Sequence, residues 1–287
     1  MNNYKIFVDL ACDLDKDFAI NNNIGYIPMK YMIDDVEFLS DKILSEEESK
    51  HFYDEMKNNK VTKTSQITPF VYEEFFEEYA QRGESILYFT LSSGLSNTYN
   101  SALVAKNTLC EKHKDFKFEI VDSLGATGGI GVLVHKAVEN KKNGMSLEEN
   151  ANSMRETTKN LKHWFYVEDL KYLKRGGRIS SSKAFIANAL NIKPVMKVNS
   201  EGKLEAFGKK IGIKRCQHAL VDNFIESFDS NNKVVYICHG DDLNSALNVK
   251  KLLLEFNDTL EIYITSICPI IGSHAGPGTI ALCHIGK

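Results

Sequence analysis

Strand-like and helix-like segments alternate along almost the whole chain, and this alternation limits the possible folds more than any single residue does. Short apolar runs, each followed by a polar loop and a stretch of helical periodicity, call for layered α/β packing. In the first half the strand candidates are 5–8, 24–32, 85–91 and 118–121, with helices expected at about 69–81, 98–111 and 130–142. Thr68 before Pro69 reads as a helix start: a hydroxyl cap, then a residue that has no N–H to satisfy. Gly144 suits the stop of the helix that begins near Ile130, and Ser146 the cap of the next, running to about Asn160.

The second half has a different character. A strand at 163–167 is followed by a short helix at 169–174 that stops at Gly176-Gly177, and Ser180 to Ser182 would cap a helix at 183–190. The segments 194–198 and 203–209 flank Asn199-Ser200-Glu201-Gly202 and read as a β-hairpin. A helix at 214–228, strands at 234–238 and 261–267 around a helix at 242–256, a glycine-rich loop at 272–278 and a closing strand at 279–285 complete the chain. The expected fold is α/β with two domains: an N-terminal parallel α/β/α sheet over 1–160 and a C-terminal α/β domain with a mixed sheet over 161–287. A cleft between two such domains is the default place for a ligand.

Composition excludes some functions. With 35 basic and 38 acidic residues the net charge is −3, so nothing draws the whole molecule onto nucleic acid or an anionic membrane. None of the six cysteines forms a C-x-x-C pair, which leaves zinc and redox motifs without support. No run of apolar residues is long enough to span a bilayer, and the first residues read as a strand rather than a signal peptide. The expectation is a cytoplasmic protein with at most transient membrane contact.

In open α/β sheets ligands sit beyond the carboxyl ends of the strands. Three loops there are rich in hydroxyls: Lys63-Thr64-Ser65-Gln66-Ile67-Thr68, Ser92-Ser93-Gly94-Leu95-Ser96-Asn97-Thr98, and Asp122-Ser123-Leu124-Gly125-Ala126-Thr127. Hydroxyls and free N–H groups at helix starts favour an anion. Ordinary capping is the alternative for any one of these loops; three in one half argue for a shared anion site. A fourth element, Gly272-Ser273-His274-Ala275-Gly276-Pro277-Gly278, holds a histidine that can donate to an oxyanion in either protonation state. The phosphate-loop, dinucleotide and G-x-S-x-G patterns are missing, and His239-Gly240-Asp241-Asp242 is an incomplete metal ligand set, better explained as a strand end capping a helix.

Taken together these segments resemble the DegV family, which includes the fatty-acid-binding subunits of bacterial fatty acid kinase. The resemblance is carried by Thr64-Ser65-Gln66, by Ser92-Ser93-Gly94-Leu95-Ser96 with Thr98-Tyr99 and Ser101-Ala102, and by Asp122-Ser123. In the second half it is carried by Asp169-Leu170, Tyr172-Leu173-Lys174, Gly176-Gly177-Arg178-Ile179, Lys193-Pro194 and Gly272 to Gly278. It implies two α/β domains around one long-chain fatty acid such as palmitate, stearate or oleate, with Thr64, Ser65, Ser93 and His274 at its carboxylate. It also implies a separate ATP-binding fatty acid kinase subunit as partner, with Arg178 at a position linked to that docking. No cofactor, no metal and no catalytic residue are implied. The family often carries an Arg-Thr pair after the hairpin; here the stretch reads Lys210-Ile211-Gly212-Ile213-Lys214-Arg215, which bears on the identity of the kinase partner. Phe185, Ile186, Ala189, Leu190 and Ile192 are open to two readings, tail pocket or plain core. Two alternatives to a carrier stand beside it: a Ser93/His274 lipid hydrolase or acyltransferase, and a lipid-responsive regulatory module.

Overall fold

The computed structural model describes residues 4–179 and 192–287. The expected helix at 183–190, its Ser180 to Ser182 cap, and Phe185, Ile186, Ala189 and Leu190 lie outside the described residues.

The chain folds into α/β layers with three sheets. In the first, β1 (Tyr4–Asp9), β2 (Gly25–Ile27), β6 (Ser85–Thr90) and β7 (Phe118–Asp122) run parallel in the order β2-β1-β6-β7. Both faces of such a sheet must be covered. On one face lie α3 (Pro69–Gln81) and α4 (Thr98–Lys112), where Phe7, Phe76, Tyr88 and Phe118 pack edge to face or tilted. On the other lie α5 (Gly128–Lys142) and α6 (Leu147–Thr157). The start of α1 (Lys16–Asn21) is capped by Asp15.

A small antiparallel sheet, ordered β4-β3-β5, stands beside the first. Its strands are β3 (Met29–Ile33), β4 (Val36–Ser40) and β5 (Thr62–Ser65). The single strand expected at 24–32 is therefore two strands in two sheets. Pro28 separates them, since a residue with no N–H interrupts a ladder. Between β4 and β5 comes α2 (Glu46–Lys57), absent from the sequence expectation although Ser45 and Glu48 close a full capping box.

The third sheet is mixed and six-stranded, ordered β10-β9-β8-β13-β11-β12. It contains β8 (Leu161–Tyr166), β9 (Ile192–Val198), β10 (Leu204–Ile211), β11 (Val234–His239), β12 (Glu261–Ser266) and β13 (Ile280–Ile285). Period-two alternation sorts its side chains. Tyr166, Val195, Val235, Ile237, Ile280 and Leu282 pack outward under α8 (Ile213–Ser227) and α9 (Leu243–Phe256). Phe165, Met196, Tyr236, Cys238, Ala281 and Cys283 face inward.

That inward face meets α5, which is buried on almost every side and lies between the two large sheets. Close approach explains its glycine-rich start: a Cβ on Gly128 would fall 2.5 Å from Tyr236 Cβ and one on Gly129 would fall 2.8 Å from His163. Two short helices finish the frame: α7 (Lys171–Arg175) after β8, and α10 (Pro269–Ala275) after β12. All six cysteines are free thiols.

Candidate functional site

A cavity opens between the parallel sheet and the mixed sheet. Counted to its walls and including the open solvent at its mouth, its empty space is about 780 Å³. Its walls are mostly apolar: Met29 from β3, Phe165 from β8, Leu204 from β10, Ile270 and Ile271 from α10, and Ala281 from β13. Polar side chains also reach the lining, among them Thr64, Ser65, Gln66, Ser96, Arg178 and His274.

Thr64 and His274 meet directly. β5 pairs with β3, Thr64 opposite Tyr31, which places the Thr64 hydroxyl toward α10. α10 begins with Pro269 and ends at Gly276, whose φ of +83° closes the helix. His274 thus stands in the last turn of a helix, not in the open glycine loop the sequence suggests. Thr64 Oγ1 lies 2.8 Å from His274 Nε2. Burial, reinforced by the charges of Arg178 and Arg175, lowers the His274 pKa to about 4, so the ring is neutral at pH 7. Among the described residues His274 Nδ1 is buried without a partner. A buried bare lone pair costs less than a buried orphan N–H, which assigns the ring proton to Nε2. Thr64 Oγ1 then accepts from the ring and keeps its own proton for a group in the cavity.

Ser65 is exposed but lines the same cavity. Ser93 does not line it. Its side chain is exposed, and its backbone N–H donates to Asp122 Oδ1 at 3.1 Å. The neighbouring Ser92 is buried, its hydroxyl donating to Gly202 O at 2.8 Å and accepting from Gly94 N at 3.1 Å. The hairpin tip between β9 and β10 therefore clasps the Ser92 loop. Ser96, which follows, does reach the lining. In the third loop Ser123 donates to Gly125 O of its own turn, and Thr68 caps α3. Of the hydroxyls expected to share an anion site, these three serve local structure instead.

Arg178 lines the mouth while remaining exposed, and its Nε donates to Leu95 O at 3.1 Å. A guanidinium beside His274 adds positive potential where a carboxylate would sit. The loop after β6 is held from below by Asp9, whose carboxylate accepts from Leu91 N at 2.8 Å and Ala11 N at 3.0 Å. Burial raises its pKa to about 6 against those bonds. His163 is a lining residue the sequence reading passed over. Its Nε2 donates to Ala126 O at 3.0 Å, and burial pushes its pKa down to about 4.

The DegV family model matches residues 3–287. The chain belongs to the DegV family. A DegV domain-containing protein of Clostridium perfringens (strain 13 / Type A) is 38% identical over 287 residues, covering 100% of this chain and 98% of the relative. The crystal structure of a DegV family protein from Ruminococcus gnavus ATCC 29149, refined with vaccenic acid, is similar at a TM-score of 0.88 and 26% identity, covering 99% of this chain and 100% of that one. The Streptococcus pneumoniae Fatty Acid Kinase (Fak) B3 protein, loaded with linoleic acid, shares the DegV fold at a TM-score of 0.85 and 24% identity, covering 99% of this chain and 100% of that one.

Proposed function

We propose that this DegV-family protein carries one long-chain fatty acid in the cavity between its sheets and presents the carboxylate to a separate fatty acid kinase subunit. The observation that carries the reading is a cavity with mostly apolar walls in whose lining Thr64 and His274 are hydrogen-bonded to each other. The vaccenic acid held by the Ruminococcus gnavus relative supports it. The kinase step rests on the resemblance to fatty-acid-binding subunits and on the shared fold of the Streptococcus pneumoniae protein.

Physical chemistry gives each part a task. Burying a methylene contributes about 0.8 kcal/mol, so about a dozen of them supply roughly 10 kcal/mol before ordering costs. A charge-assisted hydrogen bond to the carboxylate adds about 1.5–3 kcal/mol. The tail therefore sets affinity, while Thr64, Ser65 and His274 set orientation. Ser93, exposed on the same loop as the lining residues Leu91, Leu95 and Ser96, belongs to the rim. Arg178, exposed at the mouth, faces the docking kinase. Phosphoryl transfer is the partner's chemistry, and the carrier works in the cytoplasm. Among the described residues no helix is long and apolar enough to cross a membrane.

Native mass spectrometry of protein purified from cells tests the reading. One bound fatty acid per chain is expected, and ATP alone should yield no acyl phosphate until a kinase subunit is added. A chain that arrives empty and takes up neither palmitate nor oleate ends the proposal.

A further inference from the structure

Two adjacent glycines follow α7 for opposite reasons. Gly177 lies at φ +68°, a strained backbone for any L side chain, yet a Cβ there would meet nothing within 4 Å. Gly176 has φ −72° and ψ −11°, which every residue adopts. A Cβ on Gly176 would fall 2.1 Å from His274 Nδ1, 3.1 Å from Cε1 and 3.2 Å from Cγ. The missing side chain at 176 is space occupied by the imidazole.

The ring needs such a support. Among the described residues only one of its nitrogens is hydrogen-bonded, Nε2 to Thr64, and Nδ1 is buried without a partner. A single polar tether leaves the imidazole free to swing about it, so steric contact must fix the other edge. Gly176 supplies that contact and is itself fixed, its N–H donating to Tyr172 O at 2.9 Å and its carbonyl accepting from Arg178 Nη1. We propose that Gly176 is a positioning residue: its bare Cα sets the depth of the His274 ring, keeping Nε2 on Thr64 and the pair aimed into the cavity. The consequence for lipid binding rests on the carrier reading; the consequence for the ring does not.

The test compares Gly176→Ala with Gly177→Ala in the full chain. Histidine-ring proton–nitrogen NMR, with the His274 signals assigned through His274→Gln, reads the ring before any ligand is added. Gly176→Ala should shift the His274 ring resonances and weaken oleate binding by roughly tenfold or more, the equivalent of one charge-assisted hydrogen bond. Gly177→Ala should lower the melting temperature through backbone strain while leaving both unchanged. Unchanged His274 resonances in Gly176→Ala would overturn the proposal. If Gly176→Ala does not fold, removing the ring in Gly176→Ala/His274→Ala should restore folding, and failure to do so overturns it equally. A shifted ring in a protein whose wild type binds no fatty acid upholds the positioning role and defeats the carrier reading alone.

Discussion

Thr64 and His274, 210 positions apart in sequence, stand 2.8 Å from each other across the cavity lining. One comes from the edge of a small antiparallel sheet and the other from the last turn of a helix, so neither local segment contains the site. If this pair orients a carboxylate, removing the hydroxyl while keeping the shape should be felt in binding more than in folding. Thr64→Val is expected to weaken fatty acid affinity by roughly tenfold, and Thr64→Ser to retain it. Ser93→Ala, at the exposed rim, should cost less than threefold on the same scale. Titration calorimetry with oleate checks all three, and equal losses for Thr64→Val and Ser93→Ala would contradict the assignment.

On the carrier proposal, Arg178 is the residue at which holding a lipid and handing it over should separate. Its guanidinium is exposed, and its hydrogen bonds run to backbone carbonyls, not to Thr64 or His274. Arg178→Gln is expected to leave fatty acid affinity within about threefold and to cut kinase-dependent acyl phosphate formation by roughly tenfold or more. A parallel loss in both assays would make Arg178 a ligand contact instead of a docking one.

Acid should destabilise the protein well above the range where surface carboxylates titrate. Burial lowers His135 to about 3 and His163, His274 and His284 to about 4, from an ordinary value of 6.5. Between about pH 6.5 and about pH 4 the unfolded chain takes up protons at these four positions that the folded chain refuses, so stability falls as pH falls. Asp9 and Asp13 act with the opposite sign: burial raises them to about 6 and about 7, so the folded chain keeps protons there that the unfolded chain has released. Four groups outweigh two. Urea midpoints should therefore rise from about pH 4 and level off near pH 7, and Asp13→Asn should steepen that rise. A flat profile over that range would show that these histidines do not titrate as their burial requires.

Ala281 tests the tail wall. It sits on β13 opposite Phe165, buried, and both face the cavity. In a filled core, the added isopropyl group would overpack at a cost of about 1–3 kcal/mol. In an open cavity it has room. Ala281→Leu should leave the melting temperature of the lipid-free protein within a few degrees of wild type, consistent with under about 1 kcal/mol. It should also reduce affinity for the longest acyl chains most, as read by competition across a chain-length series.

The strands and most helices were legible because their signals are local. The apolar run at β6, the Thr68-Pro69 start of α3 and the Ser146 cap of α6 each carry their own instruction. Where signals competed, tertiary structure decided. Pro28 splits one apolar run between two sheets. Gly272 masks α10 as a loop, because a glycine inside a helix argues against one; it is there because the Tyr53 hydroxyl would lie 2.6 Å from its Cβ. The Ser45-x-x-Glu48 box announced α2 and went unread. Thr64 and His274 are singled out by family resemblance, whereas the cavity is not. Its walls come from one or a few side chains each on β3, β8, β10, α10 and β13, at spacings that core packing explains as well.

The glycine-rich α5, pressed between both large sheets, ties their fates together. Its buried residues belong to one core shared with residues of both sheets, so parting the two sheets would expose apolar area on both sides. Melting should therefore be a single cooperative event, and a fragment cut at Asn160 would carry an unmatched greasy helix and aggregate.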